Sequence, residues 1–200
     1  MLSPITGEQV FRASARFPLG TATGADCWHP RHFSLMGLPA CRVAAAILNG
    51  IERWGHLPQL ASVLMLVMLP KPDATFRPIG LLPSLMRLWG RVRRTCVRAW
   101  ENTRGSRPYL WGCRGRSAEM AVWTQAIVKE YSKAVRREAA AVLVDLTKAY
   151  ELVQHSLAML RVRESGFPAV IARVALAVYA AERFICIEGW HPRCAGSGRP

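Results

Sequence analysis

The stretch AAAVLVDLTKAYELVQH, residues 139–155, decides which fold the sequence predicts. It begins with a short apolar run that is typical of a buried β-strand, and this run ends at a single acid, Asp145. Removing a carboxylate from water costs several kcal/mol unless a metal ion or another partner compensates for it. Asp145 is therefore a candidate catalytic and metal-binding residue; the alternative is that it caps the helix that follows.

A second segment, LPKPDATFRPIGLLPSLMRLW at residues 69–89, contains a proline-rich turn after the apolar run SVLMLVMLP at residues 62–70. Lys71 and Arg77 flank this turn, so the pattern predicts a strand followed by a hairpin with a basic tip. Cations at such a tip would neutralise phosphate charge, and proline would reduce the entropy lost on binding. The alternative is a solvated basic turn without a ligand.

Two further segments, YLWGCRGRSAEMA at residues 109–121 and TGAD at residues 23–26, complete a set of four motifs. In chain order the set resembles the motifs of reverse transcriptases, most closely those of non-LTR retrotransposons and group II introns. The segment from Asp145 resembles D-L-x-K-A-F/Y-D-x-V-x-H, with Glu151 in place of the second acid. The segment from residue 69 resembles I-P-K-P-x(n)-R-P-I-S/G-L, and TGAD resembles the G-x-D that opens the domain.

The segment at residues 109–121 resembles Q-x-G-F-R-P-G-R-S-T-x-x-A, and it departs from that pattern twice. Cys113 stands where the family has Phe, and one residue fewer separates Arg114 from Gly115. The resemblance implies that this loop contacts the backbone of template and primer. The matching positions that the resemblance assigns to nucleic-acid binding are Arg114, Arg116 and Ser117.

For the remaining motifs, the resemblance implies a role for each matching side chain. Asp145 would bind the catalytic Mg²⁺ ions, and Tyr150 would exclude a ribose 2′-hydroxyl from the nucleotide site. Lys71 and Arg77 would bind the triphosphate. The implied partners are an RNA template, a DNA primer and deoxynucleoside triphosphates, and no membrane; the oligomeric state stays open.

The resemblance implies an α+β fold, namely the fingers and a partial, truncated palm of a right-hand polymerase. We expect an irregular lead-in over residues 1–36, the N-terminal helix and fingers over residues 37–138, and the start of the palm over residues 139–200. Hydrophobic periodicity predicts helices at 40–53, 84–100, 118–137, 153–164 and 169–183. It predicts strands at residues 62–70, 139–146 and 184–189.

The composition agrees with a nucleic-acid partner. The formal net charge is +14 and the sequence pI is near 10.6, and arginine supplies most of the positive charge. Guanidinium groups donate in a planar fork that fits phosphate oxygens, although a GC-rich genome would also raise the arginine content. With 51% hydrophobic residues, the chain is not disordered in composition.

Cysteine spacing and hydropathy predict the cellular compartment of the chain. Its 6 cysteines contain no CxxC pair, which is typical of reduced thiols in an intracellular protein. The N-terminus has no secretory signal, and the longest apolar run, at residues 63–69, is too short to cross a bilayer. The predicted localisation is intracellular, with the nucleus as one option.

Nucleotidyl transfer by two metal ions needs at least two carboxylates, yet no pair of adjacent aspartates occurs in the sequence. We therefore expect a fragment of an RNA-directed DNA polymerase that is inactive alone, although its full-length relative would be an enzyme. Two alternatives stay open. One is a non-catalytic, maturase-like RNA-binding module, and the other is a decayed retroelement product without a stable fold.

Overall fold

The computed structural model describes residues 2–104, 111–112, 115–138, 140–142, 144 and 152–186. Contacts divide the chain into two compact units, of which unit 1 is Met1–Thr95 with Pro168–Pro200 and unit 2 is Cys96–Phe167. The described residues combine helices with one small sheet, which confirms the coarse prediction of an α+β fold.

Seven helices, one 3₁₀ turn and three strands occur in the described residues. In chain order they are α1 (Gly7–Ala15), α2 (His32–Leu35), α3 (Gly37–Trp54), the 3₁₀ turn (Gln59–Ala61), β1 (Val63–Pro70), β2 (Phe76–Leu81), α4 (Ser84–Arg104), α5 (Ala118–Ala134), α6 (His155–Ser165), α7 (Ala169–Tyr179) and β3 (Glu182–Cys186). Helix α4 continues from unit 1 into unit 2, whereas α5 and α6 belong to unit 2 alone.

The sheet in unit 1 has the order β2-β1-β3, with β1 in the centre. Strands β1 and β2 are antiparallel from Met65 opposite Leu81 to Pro70 opposite Phe76. Strand β3 runs parallel to β1, and the described pairs extend from Val63 opposite Glu182 to Val67 opposite Cys186. The predicted strand at residues 62–70 is therefore confirmed, although a short apolar run between prolines is typical of a buried strand. Its residues are half-buried or exposed, because an apolar run does not reveal how much of a sheet its neighbours cover.

Helix α3 confirms the helix predicted at residues 40–53 and supplies much of the core of unit 1. Leu48 is fully buried and Ile51 nearly so, which places their apolar side chains against the neighbouring helices. The helix ends at Gly55, whose φ of 74° is left-handed. A Cβ at Gly55 would also come within 2.9 Å of the Arg173 side chain, so both backbone angle and space favour glycine.

Residues 1–36 are more ordered than the irregular lead-in that we expected. Thr6 and Gln9 form a reciprocal capping box at the start of α1, which lies in this segment together with α2. Asn49 of α3 both donates to the carbonyl oxygen of Ile5 (2.9 Å) and accepts from its N–H (2.7 Å). Val10 of α1 is fully buried. Tertiary contacts with α3 therefore order a segment whose composition alone indicates a loop.

Helix α5 in unit 2 confirms the helix predicted at residues 118–137, but none of its residues is buried. Six apolar residues recur in it at helical spacing, which is typical of a buried stripe. This stripe is half-buried at Ala121 and exposed at its other five positions. These are Val122, Ile127, Tyr131, Ala134 and Val135. Helical periodicity shows which side chains share a face and leaves open whether another element packs on that face.

The strand predicted at residues 139–146 is not found at the positions that the structure describes. Residues 140–142 and 144 have no regular structure, and Val142 and Val144 are exposed. A strand needs a partner to satisfy its N–H and C=O groups, and no described strand pairs with these positions. The other residues of the segment, including Asp145, lie outside the described residues.

The last three elements follow the predicted order with shifted bounds. Helix α6 matches the prediction at residues 153–164, whereas α7 ends four residues before the predicted end at 183. Strand β3 begins at Glu182 because it pairs there with Val63 of β1, and residues 187–189 lie outside the described residues. None of the described helices is long and apolar enough to cross a membrane.

The cysteines follow the prediction of reduced thiols at two described positions. Cys41 and Cys96 are free. Cys27 is disulfide-bonded, so the prediction is wrong at that residue. Spacing along the sequence could not predict this bond, because the folded chain decides which thiols meet.

Candidate nucleic-acid interface

The basic hairpin predicted from residues 69–89 is present as β1, β2 and the five-residue connection between them. The N–H of Lys71 donates to the carbonyl oxygen of Thr75 at 2.8 Å, and the N–H of Ala74 donates to that of Lys71 at 3.2 Å. Arg77 lies opposite Leu69, one position before the last strand pair of the hairpin. The structure thus brings Lys71 and Arg77 to the same end of one hairpin.

The tip of the hairpin is held in shape by its acid. The Asp73 carboxylate accepts from the hydroxyl of Thr75 at 2.6 Å and from its N–H at 3.1 Å, and these bonds lower the pKa of Asp73. Arg77 is exposed and Lys71 is half-buried. Neither cation has a carboxylate within salt-bridge distance among the described residues. Their charges are therefore available to an anionic ligand.

The TGAD segment at residues 23–26 contacts the start of α4. The Asp26 carboxylate accepts from the N–H of Ser84 at 2.7 Å, and the hydroxyl of Ser84 donates to the carbonyl oxygen of Trp28. A Cβ at Gly24 would lie 2.6 Å from the carbonyl oxygen of Leu82, so the two backbones approach too closely for a side chain. Gly24 and Asp26 thus pack the N-terminal region against the residues that follow the hairpin.

Helix α4 confirms the helix predicted at residues 84–100, and one of its arginines points into the core. Arg93 is buried and donates to both carboxylate oxygens of Glu52, at 2.6 and 2.5 Å. The indole N–H of Trp89 donates to the same carboxylate at 2.8 Å, and Arg173 of α7 donates to the carbonyl oxygen of Glu52. This network fixes the rotation of α4, in which Arg94 is exposed and Arg91 is half-buried.

The loop before α5 contains two of the predicted nucleic-acid-binding residues. Ser117 caps α5 by accepting from the N–H of Met120 at 3.2 Å. The guanidinium carbon of Arg116 lies 5.6 Å from the centre of the Trp111 ring, and Gly115 has a left-handed φ of 78°. The structure therefore brings Arg116 and Ser117 together at the start of a helix.

The remaining predicted site residues lie outside the described part of the chain. These are Asp145, Tyr150 and Arg114. Within the residues that the structure does describe, no group of three or more His, Cys, Asp or Glu side chains could hold a metal ion. The described residues therefore do not form the Mg²⁺ site that the resemblance implies.

The structure contains a cluster around Phe17 that no sequence motif predicted. The guanidinium carbons of Arg91 and Arg87 lie 4.3 and 5.6 Å from the centre of its ring, and Arg31 donates to its carbonyl oxygen at 3.5 Å. The spacing of Arg87 and Arg91, four residues apart, does predict a shared helix face. Nothing in the sequence indicates that Phe17 and Arg31 lie beside that face.

Comparison with known proteins adds one relative. No family model matches the chain. The chain is 31% identical over 97 residues to the RNA-directed DNA polymerase from mobile element jockey of Drosophila melanogaster. The match supports a reverse-transcriptase-like relationship. It covers 46% of this chain and 11% of that relative's length.

This relationship agrees with the retroelement type that the motifs predicted. The chain spans about a tenth of the relative. The activity in the relative's name therefore belongs to the relative. The assignments of fingers, palm and individual site residues stay predictions.

Proposed function

We propose that the chain is part of an RNA-directed DNA polymerase of the retroelement type, with the N-terminal helix and fingers in residues 37–138 and the start of the palm in residues 139–200. The observation that carries this proposal is the β1–β2 hairpin, which presents Lys71 and Arg77 without carboxylate partners among the described residues. The similarity to the jockey polymerase supports the same assignment. The proposed location is intracellular, including the nucleus.

The proposed reaction of the whole polymerase is the RNA-templated addition of deoxynucleotides to a primer 3′-hydroxyl. Lys71 and Arg77 would hold the triphosphate and neutralise the charge that develops on it, while Tyr150 would contact the sugar. Mg²⁺, with Asp145 as a ligand, would supply the two-metal chemistry of such enzymes. The described residues do not form that metal site, so we derive no catalytic step through it.

The loop before α5 would contact template and primer. Arg116 and, by resemblance, Arg114 would pair with phosphate oxygens, which match the fork of a guanidinium. Ser117 starts a helix whose first N–H groups carry partial positive charge, and this favours a nearby phosphate. The cap of α5 and a backbone contact are thus compatible roles for Ser117.

The test of the hairpin is nucleotide binding by the full chain, measured as the fluorescence anisotropy of a labelled deoxynucleoside triphosphate. The Lys71→Gln/Arg77→Gln variant should bind at least about tenfold more weakly, because a hydrogen bond to a charged group contributes about 1.5–3 kcal/mol. A matched control is Arg53→Gln with Arg12→Gln, which removes the same charge from exposed positions in unit 1.

The labelled nucleoside without phosphates should bind far more weakly than the triphosphate. If the hairpin variant and the control lose affinity equally, the hairpin is not a triphosphate site. The alternative of a maturase-like, non-catalytic module would then gain support, provided that RNA still binds. The opposite result, a loss confined to the hairpin variant, would support a nucleotide-binding polymerase.

A further inference from the structure

Three arginines from two parts of the chain surround one aromatic residue in unit 1. Arg91 and Arg87 of α4 approach the ring of Phe17, with guanidinium carbons 4.3 and 5.6 Å from its centre. Arg31 donates to the carbonyl oxygen of Phe17 at 3.5 Å. We call Arg31, Arg87 and Arg91 the arginine cluster.

The cluster is held in place by contacts that do not depend on a ligand. Arg87 and Arg91 are four residues apart on α4 and therefore lie on one face of the helix. Arg87 donates to the carbonyl oxygen of Ala22, which ties α4 to the segment that follows Phe17. The hydrogen bond between Asp26 and Ser84 fixes the same segment at the start of the helix. A preorganised set of cations loses little entropy when an anion binds.

No carboxylate of the described residues lies within salt-bridge distance of the three arginines of the cluster. The salt bridges of the described residues involve other arginines, namely Arg42, Arg93 and Arg161. Burial lowers the pKa of Arg87, while the charge of Asp26 raises it. The oxygens of Asp26, however, accept backbone hydrogen bonds from Ser84 and Trp28. Like charges at close range repel each other, so an anion is the ligand that this arrangement favours.

A guanidinium that packs on a ring uses its flat face for that contact. Its N–H groups lie in the plane of the guanidinium and stay able to donate to oxygen atoms at the edge. Phosphate oxygens accept such bonds in pairs. The Phe17 ring thus contacts Arg87 and Arg91 without accepting hydrogen bonds from their N–H groups.

We propose that the arginine cluster binds the phosphodiester backbone of RNA, at a site separate from the hairpin and from the loop before α5. Arginine supplies most of the formal net charge of +14, and the chain is related to an RNA-directed polymerase, so a polyanion with repeated phosphates fits better than a single anion. The choice of RNA rests on the proposed function. The phosphate site itself needs neither the hairpin nor any catalytic carboxylate.

The test uses the full chain and a fluorescently labelled single-stranded RNA 20-mer, without nucleotide, at several salt concentrations. Arg91→Gln should weaken binding about tenfold and reduce the slope of log affinity against log salt by about one, because one phosphate contact is lost. Arg91→Lys keeps the charge but loses the fork, and we expect an intermediate loss. The control Arg53→Gln removes one exposed charge at the end of α3 and should change affinity less than twofold.

Circular dichroism of each variant shows whether the fold is kept. If Arg91→Gln fails to fold, the RNA affinity of Arg91→Lys is compared with that of Arg53→Gln instead. Equal losses in Arg91→Gln and Arg53→Gln, or no loss in either, would overturn the proposal, because the cluster would then be only a packing contact. Binding to phosphatidylserine vesicles that depends on Arg91, with RNA affinity unchanged, would also overturn it. The hairpin variant is tested against nucleotide and the cluster variants against RNA, so either proposal can fail alone.

Discussion

The carboxylate of Asp26 accepts a hydrogen bond of 2.7 Å from the backbone N–H of Ser84, although 58 positions separate the two residues. Ser84 is fully buried and begins α4 directly after the hairpin. The N–H groups in the first turn of a helix have no partner within the helix, so a carboxylate from elsewhere in the chain satisfies one of them. The N-terminal segment thereby fixes the base of the hairpin that carries Lys71 and Arg77.

We predict that Asp26→Ala lowers the free energy of unfolding by about 1–3 kcal/mol, because it leaves a buried N–H without an acceptor. Asp26→Asn keeps an oxygen acceptor and should cost less. Urea denaturation followed by circular dichroism measures both. The exposed acid Glu138 offers a control, and Glu138→Ala should change stability by less than about 0.5 kcal/mol. Equal effects of the two alanine variants would contradict a capping role for Asp26.

Gly24→Ala should destabilise the fold by about 1–3 kcal/mol, because the new Cβ would lie 2.6 Å from the backbone oxygen of Leu82. Gly20→Ala is the matched control, since nothing lies within 4 Å of a Cβ there. This second change should be neutral or slightly stabilising, because alanine restricts the unfolded chain. Thermal unfolding measures the stability of both variants. A Gly24→Ala variant as stable as the control would show that the two backbones are not in close contact.

The buried pair of Glu52 and Arg93 should be sensitive to the loss of either partner. Glu52→Gln removes the carboxylate charge that faces the buried guanidinium of Arg93, and we expect a loss of about 3 kcal/mol or more in denaturant unfolding. Glu130→Gln removes an exposed pair with Lys133 and should cost less than about 1 kcal/mol. Replacing the pair with Glu52→Leu/Arg93→Met should recover part of the loss. If Glu52→Gln and Glu130→Gln have similar effects, the buried pair does not fix α4.

Cys41 should react more slowly than Cys96. It is fully buried, and burial raises the pKa of its thiol, so both access and the population of the reactive thiolate are reduced, whereas Cys96 is only half-buried. Alkylation with iodoacetamide at pH 8, followed by peptide mapping, should label Cys96 first. Faster labelling of Cys41 would contradict its burial.

The raised pKa of Cys41 also makes the stability of the fold depend on pH. Because the folded state raises the pKa of Cys41, its contribution to folding is complete below the pKa of an exposed thiol, about 8.5, and is lost as the pH rises through the higher, folded value. Stability should therefore fall in the alkaline range. The variant Cys41→Ala should lack this part of the pH dependence.

The 200-residue chain alone should not extend a primer on an RNA template in the presence of Mg²⁺. Two-metal transfer needs at least two carboxylates in one site, and the sequence contains no paired aspartates. Joining a palm segment with a paired-aspartate hairpin should restore extension, and Asp145→Asn should then abolish it. Extension by the chain alone, or full activity of the joined Asp145→Asn variant, would show that the catalytic centre is elsewhere.

The sequence by itself determined the local elements of this protein. The apolar periodicity of residues 40–53 predicted α3, and the apolar run followed by a proline-rich turn predicted β1 and the basic hairpin with Lys71 and Arg77. These predictions succeeded because helix periodicity, strand runs, caps and turns depend on residues that are close in the chain. The coarse α+β class follows from the same patterns.

Only the tertiary structure decided which side chains meet and which apolar faces are covered. Phe17 and Arg91, Asp26 and Ser84, and Glu52 and Arg93 are joined by contacts between distant segments, which no local pattern encodes. Periodicity likewise predicted the apolar stripe of α5 but not its exposure, because burial depends on whether another element packs on the helix. Contacts across long sequence separations arise from the packing of whole elements, and for that reason they became visible only in the folded chain.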